Sequence, residues 1–417
     1  MPAGVGCKRM TNLPSGWRRG TLQDVVAGIT TGVSVNGEDR PRGPGEVGVL
    51  KISCVLRGRF EPAHYKTVIS ADRARVAAPV TGGTILVSRA NTAELVGASA
   101  YVPQSVSDLF LPDKLWQLKP GKNVDVRWLS HVVADPAFRP KLASAATGTS
   151  ASMKNISQEA FLTLAIAIPP LPEQRRVAAI LDTWDTAIEK AERVARLAAE
   201  ALGARRTLLL SARHNRNRSE WRTVTFGDVT EELTSRNGPL LTAASVMGVI
   251  KGDGFQPMRE RTIGSDLSRY KIVPPSAFAY NPMRLNIGSL AFSTFATDIL
   301  VSPDYVVFAA NRDACAPNFL NELRQSPRWA AWCQQGGSGS VRTRIYYSDL
   351  VGMPIDLPPL TTQRRIAAVL ADLVTRHQAA VRRLELLRDQ KRGLMQKLLS
   401  GKVRVPEAVA DLSPAAA

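Results

Sequence analysis

P-P-L-P-E-Q-R-R-V-A-A-I-L, Pro169 to Leu181, returns near the end of the chain as P-P-L-T-T-Q-R-R-I-A-A-V-L, Pro358 to Leu370. The two copies lie 189 residues apart without a gap. A repeat of this length at a fixed offset implies two equivalent units on one chain, so the fold reads as a pseudo-dimer. The repeat continues upstream. T-G-T-S-A-S-M-K-N-I (Thr147 to Ile156) corresponds at the same offset to G-G-S-G-S-V-R-T-R-I (Gly336 to Ile345). Both are small, polar loops of the kind that lets a backbone approach something closely. Further back, W-R-R-G-T-L-Q-D-V (Trp17 to Val25) is echoed by W-R-T-V-T-F-G-D-V (Trp221 to Val229), now at an offset of 204. About 15 residues are therefore missing from the second unit between its start and its loop. Between these anchors, over 18–146 and 223–335, the units have little in common.

Both proline runs open helices. In the first, apolar positions step by four and three through Val177, Leu181, Trp184, Ile188, Ala191, Ala195, Ala198, Leu202, Arg205, Leu209 and Ala212, interrupted only by Arg205. The second runs Ile366, Leu370, Leu373, His377, Ala380, Leu384, Leu387, Lys391, Leu394, Leu398. A narrow stripe held for about five heptads is a coiled-coil pattern. Each rod should be roughly 50 Å long at about 1.5 Å per residue. Pro172 suits a first turn, Thr361 is placed to cap the second helix, and Gly401 to stop it. His377 and Lys391 on the seam would set register or direction. The blocks between the helices are mixed α/β. Thr84–Val87, Ala277–Tyr280 and Tyr305–Phe308 read as strands, and Arg127–Ala134 and Pro317–Cys333 as short helices. The expected fold class is α/β: two mixed α/β domains separated by two long helices that form a coiled coil, with a pseudo-two-fold internal repeat. The expected partition is 1–165 for the first domain, 166–216 for the first long helix, 217–354 for the second domain and 355–405 for the second helix. Residues 406–417 read as a disordered tail.

A net charge of +18 and a pI near 10.2 point to a polyanionic partner, nucleic acid before an anionic membrane surface. No stretch approaches the ~20 apolar residues of a membrane span, and no apolar core follows the basic residues of the N-terminus, so a cytoplasmic protein without a signal peptide is expected. Cys7, Cys54, Cys315 and Cys333 are scattered, which suits a reducing compartment and argues against zinc. There is no phosphate-cradling P-loop and no G-x-G-x-x-G after a strand. The four histidines have no spacing that suggests a metal or a triad. Asn281-Pro282-Met283-Arg284 faintly resembles the N-P-P-[YF] motif of adenine methyltransferases, but lacks the second proline and the stacking aromatic. Asp182, Asp185 and Glu189 read as a solvated helix face. What remains is a binding surface. In the first unit its candidates are Arg57, Arg59, His64, Tyr65, Lys66, Arg89, Asn91 and, in the loop before the first long helix, Lys154. In the second they are Lys251, Arg259, Arg261, Arg269, Tyr270, Arg284 and Asn286, with Arg342 and Arg344 in the matching loop. Arginine and lysine grip phosphates or read guanine, and asparagine can read adenine.

The paired P-P-L-x-x-Q-R-R openings, G-G-T-I-L-V-S-R-A-N-T-A-E-L-V-G (Gly82 to Gly97), the T-G-T-S loop and the ending G-L-M-Q-K-L-L-S-G-K-V-R-V (Gly393 to Val405) together resemble a family. It is the DNA-specificity subunit of type I restriction–modification systems. The resemblance runs from Leu13 to Val405 in the expected order. It implies two target-recognition domains, each reading one half of a split, asymmetric site on double-stranded DNA, with the two long helices lying as an antiparallel coiled coil that acts as spacer and dock. It also implies two methyltransferase subunits as partners, which supply S-adenosylmethionine and a base-flipping pocket. A restriction subunit can add ATP- and Mg-dependent translocation and cleavage. The chain itself would hold no cofactor or metal and catalyse nothing. Two departures from symmetry stand out: Thr361-Thr362 where the first copy has Pro172-Glu173, and the end of the first helix, Ser211–Arg218, which lacks a clean match to Gly393–Gly401. The competing class is a coiled-coil scaffold or adaptor that binds protein without reading DNA.

Overall fold

The two anchors of each unit meet in one ladder. In the computed structural model, which describes residues 13–56, 58–92, 94–147, 154–211, 220–238, 240–335 and 344–406, strand Arg18–Thr21 pairs antiparallel with Ala165–Ile168, Arg18 facing Ile168. In the second unit Arg222–Thr225 pairs with Pro354–Leu357, Arg222 facing Leu357. The 204 and 189 offsets carry one register onto the other, so the missing residues lie inside the divergent block. Each first strand ends in a threonine whose backbone amide donates to an aspartate three residues on, Thr21 to Asp24 and Thr225 to Asp228, both at 2.7 Å. This closes a capping box over the short turn that follows.

The divergent blocks still share a sheet. In the first unit four antiparallel strands run in the order Val26–Thr31, Leu115–Pro120, Thr84–Ser88, Ser99–Val102. The second repeats that order with Thr230–Glu232, Val306–Ala310, Phe278–Tyr280, Leu290–Phe292. The difference is added around this sheet. The first unit carries a five-stranded sheet built from Gly37–Glu38, Tyr65–Val68, Gly48–Leu50, Val106–Phe110 and Pro79–Val80. In the second, two ribbons pair Met247–Ile250 with Gly254–Pro257 and Lys271–Val273 with Ile299–Val301. Thr84–Ser88 and Phe278–Tyr280 are buried at every position, as central strands covered on both faces should be.

Each shared sheet is covered by a helix, Val126–Ala134 in the first unit and Pro317–Leu323 in the second. Trp128 and Phe319 on these helices are fully buried. In the second core Phe278 stacks on Phe308 with ring centroids 4.9 Å apart. The stretch Pro317–Cys333 is two helices, since Pro327 opens a new one that runs to Gln335. Proline lacks the N–H that a continuing helix needs and turns the preceding residue away from helical angles.

The long helices span Leu171–Leu209 and Leu360–Leu399. Within the first unit Val177 and Leu181 share a core with Met395, Leu398 and Val405. In the second, Leu202 and Leu210 share one with Ile366 and Leu370. The opening half of one helix thus packs with the closing half of the other, the antiparallel pairing expected. Ala195 and Leu384 are buried, while Trp184, Ile188, Leu209, Leu373, Leu387 and Leu394 are half-buried. Three readings of the helices need correction. The second helix starts at Leu360, with Gln363 N–H donating to Pro359 O at 2.9 Å, so Thr361 lies inside its first turn and caps nothing. Arg205 is exposed, not on the seam. Leu210 and Met395, absent from the stripe, are buried because near a helix end the domain core decides what is covered. Gly401 does end the second helix, with φ of +72°, a left-handed value that favours glycine.

The compact units cut across the linear partition. One comprises 1–191 with 383–417, the other 192–382. Each unit therefore takes half of each long helix. The boundaries drawn at 165/166 and 354/355 fall in or at the edge of ladder strands.

Candidate nucleic-acid interface

The glutamine of the repeated motif is a structural cleat. Gln174 and Gln363 are 2% and 1% exposed. Gln174 Oε1 accepts from the backbone N–H of Asp125 at 2.9 Å, and its Nε2 donates to Pro169 O at 2.9 Å. Gln363 Oε1 accepts from Ala316 N–H at 2.8 Å, and its Nε2 donates to Pro358 O at 2.8 Å and Ala314 O at 3.0 Å. Asp125 and Ala316 are the N-caps of the helices that cover the two sheets. One side chain thereby fixes the start of a long helix against the start of the helix that covers the sheet, twice. The sequence reading assigned this glutamine no role; its identity in both copies was the available signal.

A charged tie also holds each of these short helices against the first long helix, at that helix's opening half in the first unit and near its closing end in the second. In the first unit, Arg127 and His131 on the sheet-covering helix hold Asp182 on the long helix. Arg127 Nε lies 3.0 and 3.1 Å from its two oxygens, and His131 Nε2 lies 2.7 Å from Oδ1. Lys391 of the second long helix pairs with Asp185. Burial pushes the Asp182 carboxyl up, but His131 and Arg127 outweigh it and hold it down at about 2. Burial pushes His131 below its usual range, so it stands neutral at pH 7. In the second unit Glu322 of the sheet-covering helix accepts from Arg206, near the closing end of the first long helix, at 3.0 and 2.8 Å. Asp182 and Asp185, read as a solvated face, are in fact built into this tie. Ligand atoms of His131, Asp182 and Asp185 lie within 4.8 Å of one another. Arg127 and Lys391 already neutralise both carboxylates, and the donor set fits an ion-pair network better than a cation site.

The basic candidates sort into tethered and exposed. In the first unit Lys66 is exposed on its strand. Arg59 is exposed and lies 3.9 Å from Glu61 and 3.8 Å from Glu189. His64 meets Ser53 Oγ at 3.1 Å and the Glu61 carboxylate at 3.1 Å, and Arg42 lies over the Tyr65 ring. Arg89 is half-buried and donates to Asp113 O at 2.6 Å. Asn91 accepts from Thr92 N–H at 2.9 Å and donates to Ser88 Oγ at 3.4 Å. The ladder sets Asn91 opposite half-buried Lys154. Arg89 and Asn91 hold the loop in shape. Arg57 and Arg342 lie outside the described residues. In the second unit Lys251, Arg259, Arg261, Arg269, Arg284, Asn286 and Arg344 are all exposed. Tyr270 is in the core, its hydroxyl accepting from Gly264 N–H at 2.9 Å. Among them stand exposed apolar side chains that the sequence reading passed over: Ile250, Met283, Ile287 and Tyr346. Asn281, first residue of the N-P-M-R stretch, folds back to accept from Met283 N–H at 2.9 Å.

Residues 14–198 match the family described as type I restriction modification DNA specificity domain. A curated relative, the type I restriction enzyme EcoEI specificity subunit of Escherichia coli, is 26% identical over 174 residues, which is 41% of this chain and 29% of that protein's length. A solved S subunit of a type I system from M. genitalium superposes with a TM-score of 0.58 at 12% identity, over 94% of this chain and 98% of that one. A chain from a structure reported on complex assembly and conformational transition of the type I R-M system gives 0.52 at 17% identity, over 94% and 100%. At such identities the likeness carries the fold, two units and two long helices included. No helix among the described residues is long and apolar enough to cross a membrane. Sequence motif, domain match and fold agree: the chain is similar to the DNA specificity subunits of type I restriction–modification systems, and its residues 14–198 match their DNA specificity domain.

Proposed function

We propose that this chain is the non-catalytic specificity subunit of a type I restriction–modification complex. Each unit reads one half of a bipartite, asymmetric site on double-stranded DNA. The observation that carries this reading is the repetition of ladder, sheet order and glutamine cleat around two blocks that otherwise differ: a common frame that presents two different faces. With +18 net charge, those faces suit phosphate and base contacts. The paired long helices fix the spacing of the half-sites and dock two methyltransferase subunits. Those partners bring S-adenosylmethionine, and a restriction subunit brings ATP and Mg. The described cysteines suit no nucleophilic role: burial pushes Cys54 and Cys315 up to about 12 and Cys333 to about 11, away from the reactive thiolate. If both units face one side of the duplex, the half-site centres lie roughly 10 base pairs apart, as in dimeric readers. The test is to exchange residues 18–146 for those of a relative and map methylated bases produced by the assembled complex. One half-site should change and the other persist. A single continuous target, or a change in both halves, would overturn the reading. Loss of DNA affinity that is steep in salt separates this function from that of a protein-binding scaffold.

A further inference from the structure

In the second unit, the segment Asn281–Gly288 stands between two concave spaces. Its start, Asn281, Pro282 and Met283, lines a cavity of about 320 Å³ together with Lys271, Arg344 and Tyr346. Its end, Asn286, Ile287 and Gly288, lines another of about 550 Å³ together with Lys251. The segment is held rigidly from below. Pro282 O accepts from Ile345 N–H at 3.1 Å, Asn281 caps its turn, and Ser289 Oγ donates to Val249 O at 3.2 Å. Pro282, Leu285 and Ser289 are buried, whereas Met283, Arg284, Asn286 and Ile287 are exposed. Met283 is 40% and Ile287 51% exposed, and Ile250, beside Lys251, is 51% exposed. Among the described residues, no large apolar side chain of the first unit before its long helix is exposed in this way.

A braced ridge with apolar and amide side chains on its crest and cations at both flanks fits a nucleic-acid groove: the flanks meet phosphates while the crest meets base edges. In the major groove the only apolar group on any base edge is the C5-methyl of thymine. Resting on the DNA-specificity reading above, we infer that Asn281–Gly288 is the base-reading ridge of the second unit and that Met283 and Ile287 read thymine methyl groups in its half-site. Arg284 and Asn286 on the same crest add hydrogen-bonding readout. The first unit, whose described residues before the long helix include no large apolar side chain exposed in this way, discriminates by polar contacts.

The test uses the full chain and two randomised duplex libraries, one with thymine and one with deoxyuridine throughout, which differ only in that methyl group. From the thymine library the protein should enrich two separated blocks. From the deoxyuridine library the block lost on exchanging the second unit's divergent residues should be weakened, on the order of fourfold per thymine, the worth of one buried methyl. The other block should persist. Ile287→Ala and Met283→Ala, at exposed positions that leave the fold intact by thermal melting, should bind the two libraries alike at the affected positions. Equal selection of the second block from both libraries, or a second block without thymine, would overturn the inference while leaving the specificity reading in place. Enrichment of no sequence from either library would overturn both.

Discussion

The two long helices open with the same motif, yet the two openings are locked differently. At the first, Glu173 is 2% exposed and accepts from the Trp17 indole at 2.9 Å and from Arg404 at 2.9 and 3.2 Å. At the second, the residue 189 positions on is Thr362, half-buried, and the counterpart of Trp17 is the half-buried Trp221. The ties that hold the sheet-covering helix against the first long helix differ too. Asp182 in the opening half of that long helix takes Arg127 and His131 in one unit, and Arg206 near its closing end takes Glu322 in the other. What the units share without change is neutral: the ladder, the sheet order and the buried glutamine. What they do not share is charge. A neutral hydrogen-bonded cleat has one geometry that serves both copies. The charged ties sit at different places on the frame, so each copy settles its own.

The largest effects should come from breaking these ties. Glu322→Ala leaves Arg206, 15% exposed, without its carboxylate. It also removes the acid nearest Arg324, which burial has already pushed down to about 10. About 4 kcal/mol of stability should be lost. Asp182→Ala in the first unit, where the pair is about a third exposed, should cost about 3 kcal/mol. Denaturant midpoints measure both, and equal, negligible shifts would remove the claim that charge locks the two units.

The shared cleat comes next. Gln363→Ala strands three backbone groups and should cost about 3 kcal/mol, and Gln174→Ala strands two and should cost about 2. The ranking of the two variants by chemical denaturation is the check. A reversed order would mean that the cleat is not equivalent in the two copies.

The third contrast is in pH. His131 is buried and neutral, with its pKa pushed below 6.5 by desolvation, and Glu322 stands in its place in the second unit. Below pH 6.5 the unfolded chain binds a proton that the folded one refuses. Stability from this site is therefore complete above 6.5 and declines as pH falls below it, by at most ~1.4 kcal/mol per pH unit. Asp182, held at about 2, does not titrate in that window. Unfolding midpoints at about pH 7.5 and 5.5 should fall further apart in the wild type than in His131→Asn. A parallel fall in both would assign the effect elsewhere.

The smallest effects on stability should be at the exposed cations. Lys66→Ala and Arg261→Ala should change the melting temperature little, since surface substitutions are usually within about 0.5 kcal/mol. Each should flatten the salt dependence of DNA binding by roughly one unit of slope if it binds phosphate. Arg89→Ala, by contrast, should lower stability along with binding, because its guanidinium supports the Asp113 turn.

The sequence by itself determined the repeat, the number of units, the long helices and the family resemblance, because each rests on local pattern: a fixed offset, a heptad stripe, turn residues. The strand read as Thr84–Val87, which the structure extends to Ser88, was legible as a short apolar run after Gly82-Gly83. That 204 and 189 describe two strands of one ladder was not legible, since the register of non-local strands leaves no local mark. Nor was the common sheet beneath divergent blocks, where topology repeats while side chains do not. The candidate interface was legible as composition, and the tertiary structure decided which members are available. It tethered Arg89 and Asn91, buried Tyr270, and raised Met283 and Ile287 on a braced ridge. The physical reason is that charge and polarity belong to a residue, whereas exposure and partnership belong to its neighbours, which the chain brings together from far along its length.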